Sequence, residues 1–343
     1  MKEAADAISA TNRFTMDGHF DLLMDVHIQR ERGRTRVIET DYYSRLVAGG
    51  IDGIIAAVFI DSAFVPEMAL RKALGQIGAL YEEAKESSDK LAICYSGADL
   101  RKAKASGKIG FLLSLEGIEP IGSDIGLLRV FYELGVRNIG LVWSRRNSAG
   151  DGSFFEPVRE GRKGGLSSFG VQVVEEAERL GMTIDVSHLN DEGFWDVMKF
   201  SSKPVIASHS NARALCPVMR NLTDEQIEAI AESDGVIGVN AASFLVGKTD
   251  DEATLEQFVN HLDHLVNVAG IRHVGLGLDL CEDFMKYISQ EDLMRMPRRP
   301  FDVIKGHQQV PRILEKLYER GYGHDDINAI TGNNFLRIFG QGM

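Results

Sequence analysis

Met16-Asp17-Gly18-His19-Phe20-Asp21 reads as a short strand that ends in His-x-Asp. Side chains two apart on a strand share a face. An imidazole and a carboxylate therefore stand side by side, a pair able to grip a divalent metal ion. Such a triplet is common by chance and gains weight only if the rest of the chain supplies further ligands at the ends of other strands.

Outward from this stretch, short β-branched apolar runs recur, most with a helical pattern between them. They are residues 52–60 (DGIIAAVFI), 109–116 (IGFLLSLE), 138–143 (NIGLVW), 183–188 (TIDVSH), 204–209 (PVIASH), 235–240 (GVIGVN) and 273–279 (HVGLGLD). Helices are expected over residues 65–87, 168–180 and 254–269, with another capped at Thr223 in T-D-E-Q. Runs apolar at nearly every position suit a parallel sheet buried on both faces. Eight in series predict an α/β fold, a closed (β/α)8 TIM-like barrel with its site at the C-terminal ends of the strands. A doubly wound open sheet would not need eight units, and no G-x-G-x-x-G follows the first strand.

No linker divides the chain, so residues 1–343 are expected to form one barrel domain, with 1–14 as an N-terminal extension. Two long irregular stretches, 144–165 and 281–306, follow the fourth and eighth strands, on the side where barrel enzymes keep their sites. Met285, Met294 and Met296 in the second read as packing against the barrel.

Apolar residues make up 44% of the 343, enough for a sizeable core, and the net charge of -12 argues against a nucleic-acid binder. Cys94, Cys216 and Cys281 lie far apart with no C-x-x-C pair, which fits a reducing compartment. The opening MKEAADAISATNR lacks the apolar run of a signal peptide, and no later stretch is long enough to span a bilayer. The expectation is a cytoplasmic protein that binds neither nucleic acid nor membrane.

The last polar residues of the strands form a set: His19 and Asp21, Glu116, His188, His209 and Asp279. In a closed barrel all six converge on one mouth. Three histidines and three carboxylates are too many for one tetrahedral ion and too oxygen-rich for a structural zinc site. They suit two metal ions with one carboxylate bridging and water between them. His261 and His264, three apart on a helix, lie away from any strand end and read as a packed or solvated face. His27, His273, His307 and His324 lack partners at a strand mouth. Asp185, an odd number of residues from His188, is expected to point away from the metals.

The motifs D-G-H-F-D (17–21), S-L-E-G (114–117), I-D-V-S-H (184–188), V-I-A-S-H-S-N-A-R-A-L (205–215), R-N-L-T-D-E-Q (220–226), G-V-I-G-V-N (235–240), H-V-G-L-G-L-D (273–279) and G-N-N-F-L-R (332–337) together resemble the membrane (renal) dipeptidase family, zinc peptidases of the amidohydrolase superfamily. The resemblance implies two Zn2+, with other divalent metals as substitutes. His19 and Asp21 would hold one, His188 and His209 the other, and Glu116 would bridge. It also implies that Asp279 accepts and returns the proton of an attacking hydroxide, and that Arg220 pairs with the terminal carboxylate of a dipeptide substrate. A D-residue at the C-terminal side and a homodimer are further implications. One departure stands out: Trp143 occupies the position where the animal enzymes carry a substrate-binding histidine. Indole donates one N–H and cannot become a cation, so Arg145, Arg146 or Asn147 is a candidate replacement.

Two rivals stay open at this point. One is another amidohydrolase activity at the same site, on an N-acyl amino acid, a lactam or a lactone. The other is a non-catalytic binding protein on the same fold, against which the complete set of six residues argues.

Overall fold

The computed structural model describes residues 13–154 and 164–340. Nine strands form one parallel sheet: β1 (Met16–Phe20), β2 (Gly53–Phe59), β3 (Leu91–Cys94), β4 (Ile109–Glu116), β5 (Val136–Gly140), β6 (Thr183–Asp185), β7 (Ile206–Ala207), β8 (Val236–Val239) and β9 (Val274–Leu276). Eight follow one another in the order β1-β2-β4-β5-β6-β7-β8-β9. β2 and β4 are buried at every position, as strands covered by side chains within and helices without must be. The register aligns the C-terminal ends: Phe59 pairs with Glu116, Glu116 with Gly140, Gly140 with Asp185 and Asp185 with Ile206.

The barrel is nearly closed. β1 and β9 share no ladder, but the Asp279 N–H donates to the His19 carbonyl at 3.2 Å, and the Leu278 N–H to Asp17 Oδ1 at 2.8 Å. The other end of the cylinder is plugged. Phe335, from the helix Asn334–Ile338, packs with Met16, Ile55, Leu112, Ile206 and Val236. A Cβ on Gly18 or on Gly275 would stand 2.5 Å from its ring, so only glycine fits at these two seam positions.

The expected helices are present as Ala69–Glu86, Ser168–Leu180 and Leu255–Ala269, and Thr223 closes a capping box with Gln226. Two corrections concern strands. β3 was not expected; it takes the first half of one edge of β4 (Leu91 opposite Ile109), while β5 takes the second half. β5, β6, β7 and β9 end two or three residues earlier than the apolar runs suggest, so Trp143, His188, His209 and Asp279 stand just past their strands. His188 and Asp279 adopt positive φ, 70° and 51°, a left-handed conformation uncommon for side-chain-bearing residues outside special sites. The 281–306 stretch carries a short helix, Gln290–Arg295. No helix among the described residues is long and apolar enough to cross a membrane.

Candidate active site

The six residues converge as the strand ends suggest. Glu116, the last residue of β4, is central. Its Oε1 lies 2.9 Å from His188 Nε2 and 3.6 Å from His209 Nε2, while Oε2 lies 3.7 Å from His19 Nε2. His19 Nε2 is 3.4 Å from Asp21 Oδ2. The two imidazoles opposite face each other, Nε2 to Nε2, at 2.9 Å, and His19 stacks on His209 with centroids 3.7 Å apart. All are buried. Behind them, Ser144 Oγ meets His188 Nδ1 at 2.9 Å and Ser208 Oγ meets His209 Nδ1 at 2.7 Å, contacts that turn the other ring nitrogen toward the centre.

These residues fit a divalent metal. Potential ligand atoms of His19, Asp21 and Glu116, and of Glu116, His188 and His209, lie within 4.8 Å of one another in each set. His19 Nε2 and Asp21 Oδ1 are buried without a hydrogen-bond partner. Such orphaned atoms cost about 1–3 kcal/mol each, which a cation between them offsets. Nitrogen and carboxylate oxygen are the donors zinc and similar ions take.

The electrostatics agree. Burial opposes charge on His19, yet Asp21 and Glu116 outweigh it and hold this pKa well above the histidine value. The cluster thus draws in positive charge. Burial, reinforced by Arg220 and His19, pushes His188 and His209 well below that value, leaving neutral imidazoles, the ligating form. Burial and then the Asp21 charge push Glu116 up to about 8, and burial pushes Asp279 up to about 7.

Asp279 lines the same pocket, and Asn240 Nδ2 donates to its Oδ2 at 2.7 Å. Arg220 is buried in the pocket wall. Its Nη1 donates to Ser210 Oγ and its Nη2 to the His209 carbonyl, both at 2.8 Å, while Nε is left without a partner. Trp143 lines the wall, 5.9 Å from His188 between centroids. The pocket has an empty volume of about 500 Å³.

Two expectations need correction. Asp185 does not point away: it reaches within metal-binding distance of His19 and His209, and its Oδ1 accepts from the Ser187 and Ser208 N–H groups, each at 3.0 Å. The odd-spacing argument fails because the chain leaves extended geometry after Asp185 and turns left-handed at His188. Arg145, Arg146 and Asn147 do not replace a donor in the pocket. Arg145 turns to Glu119 and the Ile60 carbonyl, both at 2.7 Å; Arg146 pairs with Asp151; Asn147 donates to the Leu141 carbonyl. His307, expected to lack a partner at a strand mouth, meets Asp17 within β1 rather than at its end. Asp17 and Ser208 stood beside His19 and His209 in their motifs, and that adjacency was the available signal; for Asn240 it was its place at the end of the run G-V-I-G-V-N. As expected, His261 is packed and His264 pairs with Asp224 at 2.7 Å.

The profile of the membrane dipeptidases, peptidase family M19, matches residues 3–342. The chain belongs to the membrane dipeptidase family. It is accordingly a hydrolase of the metallo-dipeptidase class. The dipeptidase aclJ of Aspergillus oryzae is 30% identical over 342 residues, covering 95% of this chain and 77% of the relative. A metallo peptidase from Rhodobacter sphaeroides, solved with a phosphinate mimic of the dipeptide L-Ala-D-Ala, superposes with a TM-score of 0.82 at 28% identity, over 96% of this chain and 99% of that one. A second dipeptidase of the family, dipeptidase AC, has a TM-score of 0.82 at 29% identity, over 95% and 98%.

Proposed function

We propose that the protein hydrolyses the peptide bond of dipeptides, including those with a D-residue at the C-terminal side, and works with two zinc ions. The observation that carries this reading is the span of one pocket. Its floor holds the histidine–carboxylate cluster, and its wall holds a buried guanidinium with Nε unpaired. A short substrate with a free carboxylate joins the two, and a longer chain finds that end blocked. The L-Ala-D-Ala mimic in the Rhodobacter sphaeroides relative supports the D-residue.

His19 and Asp21 would hold one ion and His188 and His209 the other, with Glu116 reaching both through its two oxygens. Bound there, the ions would acidify a water and polarise the scissile carbonyl. The chain's own groups do the rest. Asp279, fixed by Asn240, takes the proton of the attacking water and passes it to the leaving amine. Arg220 grips the terminal carboxylate, a charge-assisted contact worth about 2–5 kcal/mol at a desolvated site. Trp143 and Phe59 exclude water from the side opposite.

A panel of L,L and L,D dipeptides tests this reading. Free amino acids should be released, the activity should vanish with a chelator and return with zinc, and elemental analysis should find two ions per chain. Silence on every dipeptide, with turnover of N-acyl amino acids or lactams, overturns it.

A further inference from the structure

The pocket walls divide by chemistry. Beside Arg220, after β7 and β8, stand Ala242, Phe244 and Leu245. Across the mouth stand Phe59 at the end of β2, Trp143 after β5, and Phe284, Met285 and Ile288 after β9. Every acidic, basic or imidazole side chain that lines the pocket among the described residues belongs to the floor or the carboxylate grip: Asp21, Glu116, His188, Asp279 and Arg220. The far wall has none.

That wall is braced from behind. Phe59 and Trp143 meet edge-on with centroids 5.2 Å apart, and the Arg145 guanidinium lies 5.8 Å and 5.2 Å from their rings. Arg145 is itself held by Glu119 and the Ile60 carbonyl. The half after β9 is tied down as well. The Ser289 N–H donates to Asp61 Oδ2 at 2.7 Å, and Ser62 donates to Asp292 through its N–H at 2.9 Å and its hydroxyl at 2.5 Å. Met285 adds an unbranched side chain that adapts to differing shapes.

With the substrate carboxylate at Arg220 and the scissile bond over the floor, the side chain of the N-terminal residue has this wall to face. Resting on the dipeptidase reading above, we propose that Phe59, Trp143, Met285 and Ile288 select dipeptides whose N-terminal residue carries a large uncharged apolar side chain, such as leucine, methionine or phenylalanine. A lysine or aspartate there would be stripped of water with no counter-charge to meet it.

The test is kcat/KM for the series X-D-Ala, with X as Gly, Leu, Met, Phe, Asp or Lys, on the zinc-loaded enzyme. Leu, Met and Phe should exceed Asp and Lys by about 100-fold or more, the order expected when a pocket rewards several methylenes. Met285→Ala should lower the Leu-to-Gly ratio by about 10-fold; a ratio does not depend on how much variant enzyme folds. Turnover with a flat profile, with charged residues preferred, or with an unchanged ratio in Met285→Ala overturns this inference and leaves the dipeptidase reading standing. The same series with L-Ala in second place is run beside it, and no turnover of any member of either series overturns both.

Discussion

His307 sets its Nε2 2.7 Å from Asp17 Oδ2 across 290 positions of sequence, with both side chains buried. The other oxygen of Asp17 accepts from the Leu278 N–H at 2.8 Å and the His19 N–H at 3.2 Å. One carboxylate thereby joins β1, the chain beyond β9 and the residue that follows the 281–306 stretch, where the sheet lacks a ladder. His307→Ala leaves a buried carboxylate oxygen unpaired and is expected to cost about 3 kcal/mol. The sign is a lower urea midpoint at unchanged m-value. A wild-type midpoint would show that the seam does not need this contact.

Asp279→Asn keeps the shape and the Asn240 neighbour but removes the proton acceptor. Turnover is expected to fall by about 10²–10⁴-fold, while metal content, measured by elemental analysis, stays near wild type. Full activity in this variant would refute the assigned role.

Arg220→Lys keeps a charge and loses the planar fork. It is expected to raise KM for dipeptides far more than it lowers kcat, a loss of about 2–5 kcal/mol in kcat/KM. Dipeptide amides serve as the comparison. Wild type should favour the free carboxylate strongly and the variant should not; equal discrimination in both would place the grip elsewhere.

Stripping the metal should lower stability as well as abolish activity, because the clustered carboxylates and the unpaired His19 and Asp21 atoms then lack their cation. At zinc 100-fold above its Kd the stabilisation is about 2.7 kcal/mol. Thermal melts with chelator and with graded zinc read it directly. A Tm indifferent to zinc would contradict the cluster's reading as a metal site.

His261, which does not line the pocket, gives a pH dependence of stability. Its Nδ1 accepts from the Ala212 N–H and its Nε2–H donates to the Val246 carbonyl, so the neutral ring is satisfied, and burial pushes its pKa down to about 4. An unfolded histidine titrates near 6.5. Above about pH 6.5 the ring is neutral in both states and its contribution is whole. Between about 6.5 and 4 the unfolded chain binds a proton that the folded chain refuses, so stability falls by about 3 kcal/mol as pH drops. His261→Gln should remove that part of the slope from urea midpoints at pH 7 and 4.5; identical slopes would count against it.

Much of the barrel was legible because its strands advertise themselves. IGFLLSLE is apolar at nearly every position, as a strand covered on both faces is. LAIC at 91–94 escaped because four residues between two helices carry no period, and what makes them a strand is the free lower edge of β4. The site was legible because its ligands sit where apolar runs stop. Asp185 was misread because parity along a strand loses meaning once the backbone turns, and only the folded chain shows where Asp185 and Asp17 send their oxygens.

Phe335 has a consequence for how the molecule is made. The ring that seals the base against Gly18 and Gly275 emerges from the ribosome after every stave of the cylinder. Until residues 334–338 are released from the exit tunnel the vessel has walls and a mouth but no bottom. A nascent chain stalled before Asn334 should therefore stay open to a protease that the protein carrying Phe335 resists.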